Sequence, residues 1–480
     1  MEALRIRPAG TLLYEQVAER VQGLVDNGTL RPGDRLPSVR RLHRQWGVSL
    51  STVLQAYRLL EDRGVIEARP QSGHYVRTSV RRLPEPRTIP PREVARDVDR
   101  ADLMMRVSVV AGPMGLVRLG CGLPHPGLVP REALNRVIGR VARERPDSHA
   151  YVMAPGHERL RRVLAGRLID AGGSVRPDDI VVTTGGQEAL NLSLRAVTKP
   201  GDTVLVESPT YFGLLEILSS QGLKAVEVRT HPGTGLDVVA VERAIGWESP
   251  AALVVMPNFA NPLGSLMPDE AKAQLVALCA ELGVALIEDD AYGEVSFEGA
   301  RPRALKAWDR DGGVLHCGTL SKTLSPGLRV GWVAAGRHAR AVTRAKMVHS
   351  LACASVPQLA AAEFLQIGGY DRHLRKLRRA YKGHMARMST AVTQAFPTGT
   401  RLSRPRGGQF LWVELPQGCD AMAVFEAAWD AGVSVAPGPM FSASGGFERH
   451  LRLNCSLPWD DRVAEAVGLL GQLAAEQCQG

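Results

Sequence analysis

Leu13, Val17, Val21, Leu24 and Val25 recur at three- and four-residue spacing within residues 11–27, which predicts an amphipathic helix. Gly28 and the turn Arg31-Pro32-Gly33-Asp34 end it. Ser38 is a good N-cap for a short second helix with Val39 and Leu42 facing inward, and Gly47 breaks that helix. Ser49 caps a third helix running to about Arg63, with Gly64 at the C-terminal cap position. The β-prone pieces Val65–Arg69 and His74–Thr78, on either side of Gln71-Ser72-Gly73, predict a hairpin or wing. Three helices followed by such a wing form a winged helix-turn-helix pattern, here assigned to residues 8–78. Residues 79–100 are rich in Pro and Arg without an apolar period, and the stretch 79–112 reads as an exposed, semi-rigid linker. From about residue 113 short apolar runs alternate with helical stretches: Ile180–Thr183, Thr203–Glu207, Ala252–Met256, Val284–Glu288, Val314–Cys317 and Arg329–Ala335. This alternation predicts an α/β domain over 113–480 around a largely parallel sheet. A smaller α+β lobe occupies about 370–480, with strands near Gly408–Glu414 and Leu451–Asn454.

Composition refines this division. At 480 residues with 45% hydrophobic and 22% charged positions, the chain is long enough for about three structural units. No apolar run approaches the ~18–20 residues of a membrane helix, and the first ten residues lack an apolar signal core. Seven cysteines without a CxxC pair argue against a disulfide framework or a metal site, and for a reducing cytoplasm. The net charge of +10 is uneven: residues 1–82 hold 14 Arg, no Lys and 8 acids, a net of +6, and the other 398 residues carry +4. A basic head on a nearly balanced body points to nucleic acid as the head's partner.

The body carries the chemistry. Lysine is scarce, eight against 51 arginines, and Lys322 stands apart within Gly318-Thr319-Leu320-Ser321-Lys322, with Arg329 seven residues on. Hydroxyls and an arginine around one lysine suit a phosphate-bearing aldehyde, and nearby positive charge lowers an amine's pKa. Gly185, Gly186 and Gln187 follow a strand and open a helix, where uncovered main-chain N–H groups bind phosphate. Asp289 and Tyr292 close a buried strand in Ile287-Glu-Asp-Asp-Ala-Tyr292, and an Asp there can hold a pyridine nitrogen protonated. No histidine is near these acids in sequence, so metal binding is the lesser reading. Asn261 sits in a turn after another strand, and Tyr211 is placed to stack on an aromatic ring. Arg452 lies on a late strand between apolar residues, where an inward arginine needs an anion such as a carboxylate.

In this order the motifs of the body resemble those of fold-type-I pyridoxal-phosphate aminotransferases. The resemblance implies that Lys322 carries pyridoxal 5′-phosphate, Asp289 partners its ring nitrogen and Tyr211 stacks on the ring. Asn261 and Tyr292 would bind the ring hydroxyl. Gly185, Gly186, Gln187, Thr319, Ser321 and Arg329 would hold the phosphate, with Tyr151 from a partner subunit, and Arg452 would take a substrate carboxylate. The head resembles the GntR family through Arg31-Pro-Gly-Asp-Arg-Leu-Pro-Ser-Val-Arg40, Gly47-Val-Ser49 and Ala56-Tyr57. A GntR head on an aminotransferase-like body is similar to the MocR regulators. That implies a cytoplasmic homodimer, head-to-tail, that binds double-stranded operator DNA and senses an amino acid or amine. A working aminotransferase with an accessory head is the alternative. Candidate DNA contacts are Arg35, Ser38, Arg40, Ser49, Ser51, Thr52, Gln55, Arg58, Gly73 and His74. Leu50 departs from the family, which usually carries an arginine there.

Overall fold

A computed structural model describes residues 12–27, 29–31, 33–69, 72–76, 82–98 and 116–478. Expectations placed on residues 8–11, Gly28, Pro32, Gln71, 77–81 and 99–115 lie outside the described residues. The chain forms two compact units, with the larger beginning at Leu83.

The head contains α1 (Leu13–Asp26), α2 (Val39–Trp46), α3 (Leu50–Asp62), β1 (Ile66–Arg69) and β2 (Gly73–Val76). Val17, Val21, Leu42, Val53, Tyr57, Leu60, Ile66 and Val76 build its core. β1 and β2 pair antiparallel, with Ile66 opposite Val76. Ser38 caps α2 by accepting from the main-chain N–H of Arg41, and Ser49 caps α3 by accepting from that of Thr52. The Tyr57 hydroxyl donates to the carbonyl of Pro37 at 2.6 Å, locking α3 to the turn before α2.

The body has helices α4 (Arg131–Glu144), α5 (Glu158–Asp170), α6 (Gly186–Val197), α7 (Phe212–Ser220), α8 (Val238–Glu248), α9 (Asp269–Glu281), α10 (Ala339–His349), α11 (Ser355–Gln366), α12 (Gly369–Ala395), α13 (Ala421–Asp430) and α14 (Asp461–Gln477). Its main sheet holds β3 (Ile180–Thr183), β4 (Thr203–Ser208), β5 (Lys224–His231), β6 (Gly235–Leu236), β7 (Ala252–Val255), β8 (Ala285–Asp289), β9 (Val314–Thr319) and β10 (Gly331–Ala334). The spatial order is β3-β10-β9-β8-β7-β4-β5-β6. β9, β8, β7, β4 and β5 are mutually parallel, whereas β10 runs against both β9 and β3. The sheet is therefore mixed. Strand β5, with its charged Lys224, Glu227 and Arg229, has no uninterrupted apolar run and escapes a search for one.

Successive residues of β4 explain the layering. Val204 and Val206 face the helices α6 and α7, and Leu205 faces α8 and α9. A parallel sheet covered on both faces gives the near-continuous apolar strands seen in the sequence. The small lobe has β11 (Arg401–Leu402), β12 (Phe410–Glu414), β13 (Ala436–Pro437) and β14 (His450–Asn454), antiparallel in the order β11-β12-β14-β13.

Two expectations are corrected. The stretch read as an exposed linker is, over 83–98, a strap lying along the body. Leu83 and Val98 are buried, and Arg96 forms a two-way antiparallel bridge to Ala225 on β5. The Arg87 N–H donates to the Glu414 carboxylate at 2.7 Å, and the Leu402 N–H to the Pro84 carbonyl at 2.8 Å. Its single, widely spaced apolar residues make no period, yet its extended main chain can pair with strand edges. Second, Cys419 and Cys478 form a disulfide. They are 59 residues apart, and the packing of α13 on α14 brings them together, which Cys spacing cannot reveal. Among the described residues no helix is long and apolar enough to cross a membrane.

Candidate active site and DNA-contact face

Strands β3, β4, β7, β8 and β9 point the same way, and their carboxyl ends deliver Gly186, Tyr211, Asn261, Asp289 and Lys322 to one cavity of about 270 Å³. Ligands of open α/β sheets bind at that edge. Arg452 enters from the central strand β14 of the small lobe, and Gly120, Cys121, Gly122 and Leu123 form a further wall. The sequence offered a signal for this wall in two glycines around Cys121. A Cβ on Gly120 would lie 2.7 Å from the main-chain carbon of Val435, so the strip fits only without side chains at that position.

At one end of the cavity α6 begins at Gly186. Its cap, Gly185, has φ 85°, and a Cβ there would come 2.5 Å from an Arg329 guanidinium nitrogen. Arg329 donates to Ser321 Oγ at 3.3 Å and to the Thr184 carbonyl at 3.0 Å, and Thr319 Oγ1 lies 3.0 Å from Ser321 Oγ. Two hydroxyls, a guanidinium and the positive end of a helix thus converge, which is the donor set of a phosphate site. Gln187 is held aside, accepting from the Tyr211 hydroxyl at 3.1 Å and donating to the Gly213 carbonyl at 2.9 Å.

At the other end Lys322 Nζ donates to the Gly122 carbonyl at 2.8 Å and sits 6.0 Å from the Tyr292 ring centre. Burial pushes its amine down to about 8, with Arg452 adding to the shift and Asp289 opposing it. The fixed charge expected to do this is the secondary cause; desolvation leads. Burial likewise pushes the Asp289 carboxyl up to about 7, although it accepts from the Ala291 N–H at 3.2 Å. Tyr292 is buried against Phe410, its hydroxyl pushed up by the same desolvation.

Arg452 is fully buried. One guanidinium nitrogen donates to Asn261 Oδ1 at 2.9 Å and another to the Gly120 carbonyl at 2.5 Å. Among the described residues its Nε has no partner, and burial lowers its pKa to about 10. Phe410, Phe441 and Phe212 surround the cation at 4.3, 4.9 and 5.8 Å. No carboxylate among the described residues offsets its charge, and its unpaired Nε leaves the cation short of an anionic partner.

Behind Asp289 lies a buried network that sequence reading missed. His316 Nδ1 is 2.9 Å from Glu288, Asp290 pairs with Arg301, and Asn258 links Asp290 to Lys272. The absence of histidine near these acids was true only along the chain, because β9 sets His316 beside Glu288. Burial raises the Glu288 carboxyl, but His316 and main-chain donors outweigh it and leave the pKa lowered. Among the described residues no group of ligands could hold a metal ion. Tyr151 lies away from the cavity and is 81% exposed.

In the head, Arg35, Arg40, Ser51, Gln55 and Arg58 are exposed. Ser38 and Ser49 spend their hydroxyls on helix caps, and Thr52 Oγ1 lies 2.7 Å from Ser49 Oγ. The Arg35 guanidinium flanks Gly73, and His74 packs edge-on against Tyr57 and lies 3.6 Å from Glu61.

Residues 117–469 match the family model of aminotransferase class I and II, and residues 13–76 that of the bacterial regulatory proteins of the gntR family. The chain belongs to the class I and II aminotransferase family and carries a GntR head. It is a fusion of the MocR type. An uncharacterised HTH-type transcriptional regulator of Escherichia coli K12, YdcR, is 40% identical over 97% of this chain and 99% of its own length. The 2-aminoadipate transaminase of Thermus thermophilus is 34% identical over 75% of this chain and 90% of its own. The crystal structure of alpha-aminoadipate aminotransferase from Thermus thermophilus, complexed with N-(5′-phosphopyridoxyl)-L-leucine, superposes with a TM-score of 0.72. It is 33% identical and covers 76% of this chain and 94% of that one. The family's cofactor is pyridoxal 5′-phosphate, and the cavity of this MocR-type chain suits it. The phosphate donor set, the depressed amine and an Asp289 carboxyl hydrogen-bonded, among the described residues, to a main-chain N–H each match one part of that molecule.

Proposed function

We propose that this protein is a transcriptional regulator that binds operator DNA through its head and senses an amino acid or amine in its pyridoxal-phosphate-binding body. The observation that carries this is the union, in one chain, of a basic winged-helix head with a cavity that gathers a lysine, a buried carboxyl and a cluster of phosphate donors. When bound, the cofactor supplies an electron sink in its pyridine ring. Asp289 holds a proton on the ring nitrogen, Tyr211 and Tyr292 orient the ring, and Gly185, Gly186, the main-chain N–H of Gln187, Thr319, Ser321 and Arg329 hold the phosphate. Tyr151 of a partner subunit completes that cradle in a cytoplasmic, head-to-tail homodimer. Lys322 carries the cofactor and moves a proton, and Arg452 binds the effector's carboxylate bidentately in exchange for its contacts with Asn261 and Gly120. Leu123, Phe212 and Met440 add apolar surface to the cavity wall, which favours an effector with an apolar side chain.

Effector binding regulates only if it favours one arrangement of the protein over another. In the head, α3 enters the major groove with its first turns, and the positive charge gives affinity that falls steeply with salt. The test is retention of the protein's own promoter DNA, measured with and without pyridoxal phosphate and a panel of amino acids and amines. Sequence-selective retention that changes with effector supports the reading, and indifference to DNA sequence overturns it.

One observation favours catalysis as a second reading: Lys322 has an amine near pKa 8 and Arg452 has an unpaired Nε, so a base for proton transfer and a carboxylate anchor share one cavity. Multiple-turnover transamination with a 2-oxo acid would establish it, and failure across a broad amino-acid panel would remove it.

A further inference from the structure

Helix α3 presents more than hydrogen-bonding groups on its outer side. Val53, Ala56, Tyr57 and Leu60 turn into the head's core. The opposite side carries Leu50, Ser51, Leu54, Gln55 and Arg58, which a 3.6-residue period places on one face. Leu50 and Leu54 are one turn apart at the start of the helix, and remain 42% and 44% exposed. Both sit in the stretch of a recognition helix that comes nearest to base edges. The flanking Ser49 is committed as the cap, so the apolar pair is a main feature this end of the helix can offer a groove.

We propose that Leu50 and Leu54 read thymine methyl groups in the major groove, with Gln55 and Arg58 supplying hydrogen bonds to neighbouring bases. The inference rests on the DNA-binding reading of the head and names what that head recognises. In the major groove guanine shows two acceptors, cytosine a donor and adenine one of each. Thymine adds a methyl group, the apolar feature of the set. A leucine side chain has no donor or acceptor. Laid over guanine or cytosine it strips water from polar groups without replacing the hydrogen bond; laid over thymine it buries a methyl. Two leucines a turn apart therefore select T·A pairs at adjacent positions.

The experiment is selection from a randomised duplex library by the full-length protein, followed by titration of the selected site with individual thymines replaced by uracil, which deletes only the methyl. The expected result is two thymines whose replacement weakens binding by wild type about four-fold each, the worth of one buried methyl group. Leu50→Ala and Leu54→Ala should each lose the response at one of those positions while selecting the rest of the site unchanged. Leu50→Arg should move the preference there towards guanine. Thermal unfolding of the variants checks that the head stays folded, and the uracil titration of wild type needs no variant. If wild type selects a site but no uracil substitution alters its affinity, the thymine reading is wrong and DNA binding stands. If wild type selects no site, the DNA-binding reading fails and this one with it.

Discussion

The depressed amine of Lys322 makes a quantitative prediction about how fast the protein takes up its cofactor. Only the neutral amine attacks an aldehyde. With its pKa moved from 10.5 to about 8, Lys322 is about 9% neutral at pH 7, against about 0.03% for an ordinary lysine, a gain of roughly 300-fold. Capture of pyridoxal phosphate by cofactor-free protein, followed by visible absorbance at a series of pH values, should rise with pH and reach half its maximum near 8. Arg452→Met then removes the neighbouring cation, the second contributor to the shift, and leaves burial in place. A unit charge several ångströms away at an effective dielectric of about 20 is worth roughly 1–2 kcal/mol. The profile of the variant should therefore move up by about one pH unit and capture at pH 7 should slow by about ten-fold. A half-maximum near 10.5 in wild type, or an unchanged profile in Arg452→Met, would refute the reasoning.

Three further outcomes follow from other parts of the body. The folded pKa of Asp289 lies above its ordinary 3.8, so the stability it contributes is full below about pH 4 and is lost as pH rises through about 7; cofactor-free Asp289→Asn should be more stable than wild type at pH 8 by about 1–3 kcal/mol in urea unfolding, and match it at pH 4. Lys346 is buried and pairs with Glu188 at 2.7 Å, tying α6 to α10. Lys346→Met should cost about 2–3 kcal/mol in urea unfolding by leaving the half-buried Glu188 carboxylate without its cation, with Glu188→Leu added restoring part of it. Gly185→Ala places a Cβ against the Arg329 guanidinium at a backbone angle that suits glycine. It should cost about 1–3 kcal/mol of stability and weaken pyridoxal-phosphate binding, read by equilibrium titration, by ten-fold or more.

The order of elements was legible because it is written in local patterns. The 3.6 period of α1, the caps Ser38 and Ser49, and the apolar runs of β3, β4, β7, β8 and β9 each depend on a few neighbouring residues. The motif residues were legible for the same reason, since each follows the carboxyl end of a strand or stands in a late apolar one. Strand β5 was missed where charges interrupt its run, and the strap 83–98 because its apolar residues are isolated.

Only the tertiary structure decided which residues meet. Asn261 and Arg452, 191 positions apart, share a hydrogen bond; the Gly122 carbonyl accepts from Lys322, 200 positions away. His316 joins Glu288 because β9 lies beside β8 in register, and Cys419 finds Cys478 because α13 packs on α14. The sequence by itself determined what each residue does to its own stretch of backbone and which way its side chain faces. Partners, burial and the resulting pKa shifts depend on the order in which strands pair and on desolvation by residues far away in the chain, and the fold alone supplies these.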